Sequence, residues 1–304
     1  GRPYREEVVI YPATKGCEVI NIVDIETYLD GIVNTEFNSK WSPEAVAAQV
    51  IAARTYALHQ MKKAQARKAR YDVDSTIKDQ LYEGSDEEDH RAARVVDRTK
   101  GLVLVAAHNQ KQPLPIKAFY HSTCGGRTEL PQTVWGKAYE GFKRRVACPF
   151  CRPSPSFEWE IMLSPPELEK AVRLGALLEK AQPSWPKDWR NWFKYGHLED
   201  LRIKHKLLTK RNSTIEIQLS RIGDRGEREH KVFDVSSLSF RKWIGPQKLK
   251  STSFDLYRRH DQAHLGSYVF KGRGYGHGVG LCQWGAKVMG EKGFSFNNIL
   301  RHYY

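Results

Sequence analysis

The chain has 304 residues, 40% of them apolar and eight of them tryptophan, enough for one large core or two ordinary ones and too apolar for an intrinsically disordered chain. No apolar run reaches the ~18–20 residues of a membrane span, and Gly1-Arg2-Pro3-Tyr4 carries no secretory leader, so any targeting segment is expected to be absent from this chain. The formal charge of +14 favours a polyanionic partner but does not choose between nucleic acid, cell-wall polymer and lipid surface.

The chain opens on strand patterns, Glu7 to Pro12 and Cys17 to Val23, with a Lys15-Gly16 turn between them. Asp24 caps a short helix, roughly Ile25 to Val33, whose apolar stripe is Tyr28, Leu29, Ile32 and Val33. Ser42, Pro43 and Glu44 form a clear helix start. That helix is predicted to run to about Lys63, with Val46, Val50, Ala53, Ala57 and Met61 on its buried face. Asp86 to Thr99 reads as a third helix. Leu102 to Ala107 and Ile116 to Tyr120 read as strands joined by an Asn109-to-Pro113 hairpin loop. After Cys151 the prolines at 153, 155, 165 and 166 mark a change of character. A helix from Glu167 to Lys180, a tryptophan-rich turn region (Trp185, Trp189, Trp192) and four strands follow: Leu198 to His205, Thr214 to Leu219, His230 to Val235 and Ser253 to Tyr257. A glycine-rich run at 272–280 and a helix near Ala286 to Gly290 close the chain. The expected fold is α+β, a helical catalytic core with mixed and antiparallel strands (1–151 and 273–304) and an inserted, mostly β lobe (152–272).

Three segments could carry chemistry. Glu36 stands between two predicted helices with Phe37 and Trp41 beside it. A carboxyl group among aromatic side chains is partly desolvated, which raises its pKa and lets it act as a general acid near neutral pH. Taken on spacing alone, a loop glutamate is more often simply solvated. Most glycosidases use two carboxylates, and none of Asp30, Glu44, Asp72, Asp74 or Glu129 stands out as a partner. Next, His121 and Ser122 are neighbours on a strand and point to opposite faces, which argues against a nucleophile–base pair. His121-x-x-Cys124 and Cys148-x-x-Cys151 have the short spacing of a tetrahedral zinc site, with an unusually long gap between the pairs. A disulfide from Cys124 to Cys148 or Cys151 is the competing reading, and with Cys17 and Cys282 the five thiols make an odd number. Finally, glycines alternate at 272, 274, 276, 278 and 280. In a strand this would bare one face and present Tyr275, His277 and Val279 on the other, a sugar-binding wall continued by Gln283-Trp284.

The motifs together resemble the SpoIID/LytB family. They are Tyr28-Leu29-Asp30-Gly31-Ile32-Val33 with Glu36, Glu44-Ala45, Ala52-Ala53-Arg54-Thr55-Tyr56-Ala57, Asp79-Gln80-Leu81-Tyr82, Tyr120-His121-Ser122-Thr123-Cys124-Gly125-Gly126 and Val134-Trp135-Gly136. Towards the end come Lys250-Ser251-Thr252-Ser253-Phe254, Gly274-Tyr275-Gly276-His277-Gly278-Val279-Gly280, Gln283-Trp284-Gly285-Ala286 and Ile299-Leu300-Arg301-His302-Tyr303-Tyr304. The resemblance implies lytic transglycosylase activity on peptidoglycan glycan strands outside the cytoplasm, in the periplasm or in secreted form. It puts the catalytic glutamate at Glu36, with Arg54, Tyr56, His121, Ser122, Tyr275, His277, Gln283 and Trp284 on the substrate side. It also supports zinc near the Gly125-Gly126 turn. A lysozyme-like muramidase and a non-catalytic, wall-binding amidase enhancer are the neighbouring functions. A monomer with no nucleic-acid partner is expected. Two positions depart from the family pattern: Phe37 replaces the usual Met, and Cys282 replaces the usual Ser.

Overall fold

The computed structural model describes residues 2–76, 78–106, 113–182, 184–223, 225–259 and 266–304. In chain order the elements are β1 (Glu7–Pro12), β2 (Cys17–Ile22), α1 (Ile25–Glu36), α2 (Pro43–Ala66), α3 (His90–Arg98), β3 (Tyr120–His121) and α4 (Pro131–Trp135). A 3-10 turn at Pro149–Cys151 precedes β4 (Glu158–Leu163), α5 (Pro165–Leu178) and α6 (Trp189–Tyr195). Then come β5 (His197–Lys206), β6 (Asn212–Ile222), β7 (Arg228–Ser236), α7 (Ser237–Ile244), β8 (Phe254–Arg258), β9 (Tyr268–Arg273), β10 (Leu281–Cys282), α8 (Gln283–Glu291) and α9 (Phe296–Tyr303). Helices and small sheets coexist, so the fold is α+β. Among the described residues no helix is long and apolar enough to cross a membrane.

The chain forms two compact units. The first comprises Gly1–His121, Glu129–Cys151 and Val279–Tyr304. Its centre is α2, which is buried almost all round rather than along one stripe. Ala45, Ala47, Ala48 and Ala52 have no exposed surface, and neither does Thr55. A helix surrounded on every side needs small residues where neighbours approach, which explains the alanines. Leu29, Ile32 and Val33 of α1 meet Val46, Val50 and Ala53 of α2 and Ala92, Val95 and Val96 of α3. The C-terminal α8 and α9 also pack on α2, and Glu44 accepts the Phe296 N–H at the start of α9 (2.8 Å).

The second unit comprises Ser122–Thr128 and Arg152–Gly278. It holds two three-stranded sheets, β4-β9-β8 and β5-β6-β7, all antiparallel. Ile215 and Ile217 of β6 pair with Val235 and Phe233 of β7 and face a core shared with α5, α6 and α7.

Several local expectations change. Trp185, Trp189 and Trp192 do not form an exposed turn region; Trp189 and Trp192 lie on helix α6, and all three are core residues, 4–8% exposed. Strands β4 and β9 and helices α7 and α9 went unread because each is only six to eight residues long, too short for periodicity to register. Leu102 to Ala106 forms no strand, only a bridge from Val105 to Pro115, and most of the expected hairpin loop at Asn109 to Pro113 lies outside the described residues. The glycine run is not a strand beyond Arg273: Gly274, Gly276, Gly278 and Gly280 take φ of 77°, 103°, 81° and 73°. Repeated left-handed backbone folds the segment into a looped path that residues with a Cβ would resist.

Candidate active site

Glu36 is not a loop residue. It is the last residue of α1, three residues beyond the expected end, and it is half-buried. Helix α1 starts cleanly because Asp24 accepts the Glu26 N–H (2.8 Å). It stops after Glu36 because Phe37 leaves the helical region at φ −141°, ψ −146°.

The carboxylate is gripped by backbone. Glu36 Oε1 accepts the Leu81 N–H at 2.6 Å, while the neighbouring Thr35 hydroxyl donates to the Leu81 carbonyl at 2.6 Å. The loop at residue 81 is thus held on both its polar groups by two consecutive side chains of α1. Gln80, fully buried, organises the surroundings. Its Oε1 accepts from the Tyr28 hydroxyl (3.1 Å), and its Nε2 donates to Ala53 O (3.2 Å) and to the Tyr120 oxygen (3.1 Å). Burial pushes the Glu36 pKa up, opposed by the Leu81 hydrogen bond. Burial, with the Glu36 charge adding to it, also pushes the Tyr28 and Tyr120 phenols far up, so both stay protonated.

On the main-chain side, Gln283 at the start of α8 donates its Nε2 to the Glu36 carbonyl (2.8 Å). The next residue, Trp284, meets Trp41 edge to face at 5.2 Å, and Trp41 meets Phe37 in the same way at 4.6 Å. Lys287 Nζ lies 5.3–5.6 Å from the two indole ring centres. Of the residues expected on the substrate side, Gln283 and Trp284 therefore stand beside Glu36.

Arg54 and Tyr56 do not face a groove. Arg54 is 1% exposed and forks onto Glu26, and the Tyr56 hydroxyl donates to Asp79 at 2.6 Å. Both faces of α2 are buried, so these side chains complete the interior. His121 is also buried, with Nδ1 donating to Val279 O at 3.0 Å. Within the second unit, Ser122 Oγ lies 3.4 Å from Thr123 Oγ1, the Tyr275 hydroxyl donates to Gln247 at 2.6 Å, and His277 is half-buried. There Arg211, 2% exposed, donates to the carbonyls of Gly276 and Cys124. A Cβ at Gly278 would sit 2.4 Å from its guanidinium.

The cysteines resolve differently from the expected set. Cys124, Cys148, Cys151 and Cys282 are all buried, and their Sγ atoms lie within 4.8 Å of one another with no disulfide among them. The disulfide alternative therefore falls away, and Cys282 takes the place expected of His121. Four sulfurs around a zinc ion at ~2.3 Å stand ~3.8 Å apart, so this group fits a tetrahedral metal. Cys148 Sγ also lies 3.1 Å from the Tyr303 hydroxyl. The signal for Cys282 was present in the sequence: it is where the chain departs from the family's serine.

The family described as stage II sporulation protein, SpoIID, matches residues 13–105. An uncharacterised protein of Brachyspira hyodysenteriae is 28% identical over all of this chain and 71% of its own length. Stage II sporulation protein D of Bacillus amyloliquefaciens is 27% identical over 93% of this chain and 73% of its own. The amidase enhancer of Bacillus subtilis is 27% identical over 91% of this chain but only 39% of its own length. The family match over residues 13–105, together with relatives that run along nearly the whole chain, shows that this protein is similar to the SpoIID family.

Proposed function

We propose that the protein cleaves the β-1,4 glycosidic bonds of peptidoglycan glycan strands outside the cytoplasm as a lytic transglycosylase, with Glu36 as its single acid and base. The observation that carries this reading is a half-buried carboxyl group that accepts a backbone N–H and whose pKa is raised by burial. Such a group holds a proton at pH values where an exposed glutamate has lost it. In the reaction Glu36 gives that proton to the glycosidic oxygen as the bond to the anomeric carbon breaks. It then takes the proton of the same sugar's 6-hydroxyl as that oxygen bonds to the anomeric carbon, which restores the acid and leaves a 1,6-anhydro sugar. Trp41 and Trp284 supply aromatic faces for the sugar rings.

Mass spectrometry of sacculus digests tests this. Anhydro-muramic ends are expected from the wild type and none from Glu36→Gln. Reducing ends in their place would make the protein a muramidase. Tight binding with no soluble products would make it a non-catalytic module, the reading that the amidase enhancer's name favours.

We also propose that the four thiols hold a structural zinc ion. Metal analysis of protein purified under reducing conditions is expected to find one zinc per chain, lost together with thermal stability in Cys282→Ser. An unchanged melting temperature after chelation would overturn it.

A further inference from the structure

The single acid at Glu36 leaves the charge of +14 without a role. Part of that charge is concentrated in the first unit. Lys117, half-buried just before β3, has its ammonium 5.2 Å from the ring centres of Tyr56 and Phe119 and 5.9 Å from that of Tyr139. Lys137 Nζ lies 5.3 Å from the same Tyr139 ring. Lys63 on α2 is the third, and its charge and that of Lys137 both act on Lys117. Among the described residues none of the three lysines has a carboxylate at ion-pair distance. The acid whose charge reaches Lys117 is Asp79, and its oxygens are already taken by the Tyr56 hydroxyl, the Gln60 amide and the Asp74 N–H.

His59 joins the group. Its Nδ1 donates to Pro115 O at 3.0 Å, and burial together with Lys117, Lys63 and Lys137 lowers its pKa against that hydrogen bond. Gathering two further ammonium groups near the half-buried one of Lys117 costs folding free energy, which contact with the aromatic faces offsets in part. A bound anion would remove that cost. Beside the lysines, Trp135 is 38% exposed and packs on Phe119 at 4.6 Å. The cluster is also tied to the candidate acid. Asp79, which holds Tyr56, precedes by two residues the Leu81 N–H that holds Glu36, a span of at most about 7 Å.

We propose that Lys117, flanked by Lys63 and Lys137 and walled by Trp135 and Tyr139, binds a carboxylate carried by the glycan strand, so that the protein takes carboxylate-bearing saccharides in preference to neutral ones. The inference rests on the glycan-cleaving reading above. The carboxylate can belong to the sugar itself or to a peptide attached to it.

Calorimetric titration of the Glu36→Gln protein separates these cases. The probes are a neutral N-acetylglucosamine oligomer, a peptide-free oligomer containing muramic acid, and the same oligomer bearing peptides. The muramic-acid oligomer is expected to bind about tenfold more tightly than the neutral one at low salt. Lys117→Gln is expected to abolish that advantage and leave the neutral affinity within about twofold. A preference confined to the peptide-bearing oligomer supports the site and names the peptide as source. Because Lys117 is half-buried, the exposed Lys137→Gln is the second variant, with a loss of a few fold. The His59 imidazole signals in NMR are a third readout: their pKa should rise when the anionic oligomer saturates the protein and stay fixed with the neutral one. Equal affinity for neutral and anionic oligomers, or an advantage that survives both lysine variants, overturns the inference and leaves the glycan reading intact. Binding of no oligomer at all overturns both.

Discussion

Helix α1 carries a glutamate in its first turn and another at its last residue, and the two have opposite fates. Glu26 lies at the positive end of the helix dipole and receives the fork of Arg54, with Arg54 Nε at 3.0 Å and a second nitrogen at 2.6 Å. Glu36 lies at the negative end and receives one backbone N–H. The first is a neutralised structural charge. The second is held where burial disfavours ionisation, opposed by the Leu81 N–H. Residue type and helix are the same; the partners delivered by other segments decide the role.

The comparison can be broken most sharply at Glu36. Glu36→Gln is expected to lower the release of soluble fragments from sacculi by roughly 10²–10⁴-fold with an unchanged circular dichroism spectrum; retained activity would remove the distinction between the two glutamates. Arg54→Ala should strike the other end. It strands Glu26 and removes a buried side chain that also donates to Leu102 O (3.2 Å), so a loss of roughly 3–5 kcal/mol in denaturant unfolding is expected. A loss under about 1 kcal/mol would mean that the pair is no more than a surface contact. Gln283→Ala removes the bond to the Glu36 carbonyl and is expected to cost about 1–2 kcal/mol, read as a roughly tenfold fall in kcat with KM little changed. A change in KM alone would assign Gln283 to binding rather than positioning.

The smallest effect is on stability against pH. Folding raises the Glu36 pKa above its ordinary value of 4.5. The protonated form is therefore favoured by the fold, and its contribution is full below that value and lost as pH rises through the folded pKa. Glu36→Gln cannot ionise, so its melting temperature should match the wild type in acid and pull ahead as the pH rises past that window. Parallel curves would show that Glu36 is as well solvated folded as unfolded.

Much of the first unit was legible in the sequence because its signals are local. The β1–β2 hairpin follows from apolar runs around Lys15-Gly16, and α2 from Ser42-Pro43-Glu44 and its alanines. Glu36 was legible as a candidate through the order of motifs around it. Its position was not, because a helix end depends on where Phe37 must leave the helix, which its packing against Trp41 helps to fix.

The sequence by itself therefore determined the helical core, the family resemblance and the glutamate to watch. Tertiary structure alone decided three other matters: that Leu81 and Gln283 hold Glu36, that Arg54 and Tyr56 turn inward, and that Cys282 rather than His121 joins the thiols. The physical reason is range. Capping and periodicity act over a few residues, whereas the bond from Gln283 to Glu36 spans 247 positions, and the alternating glycines become a left-handed path through close approaches such as that of Arg211 to Gly278.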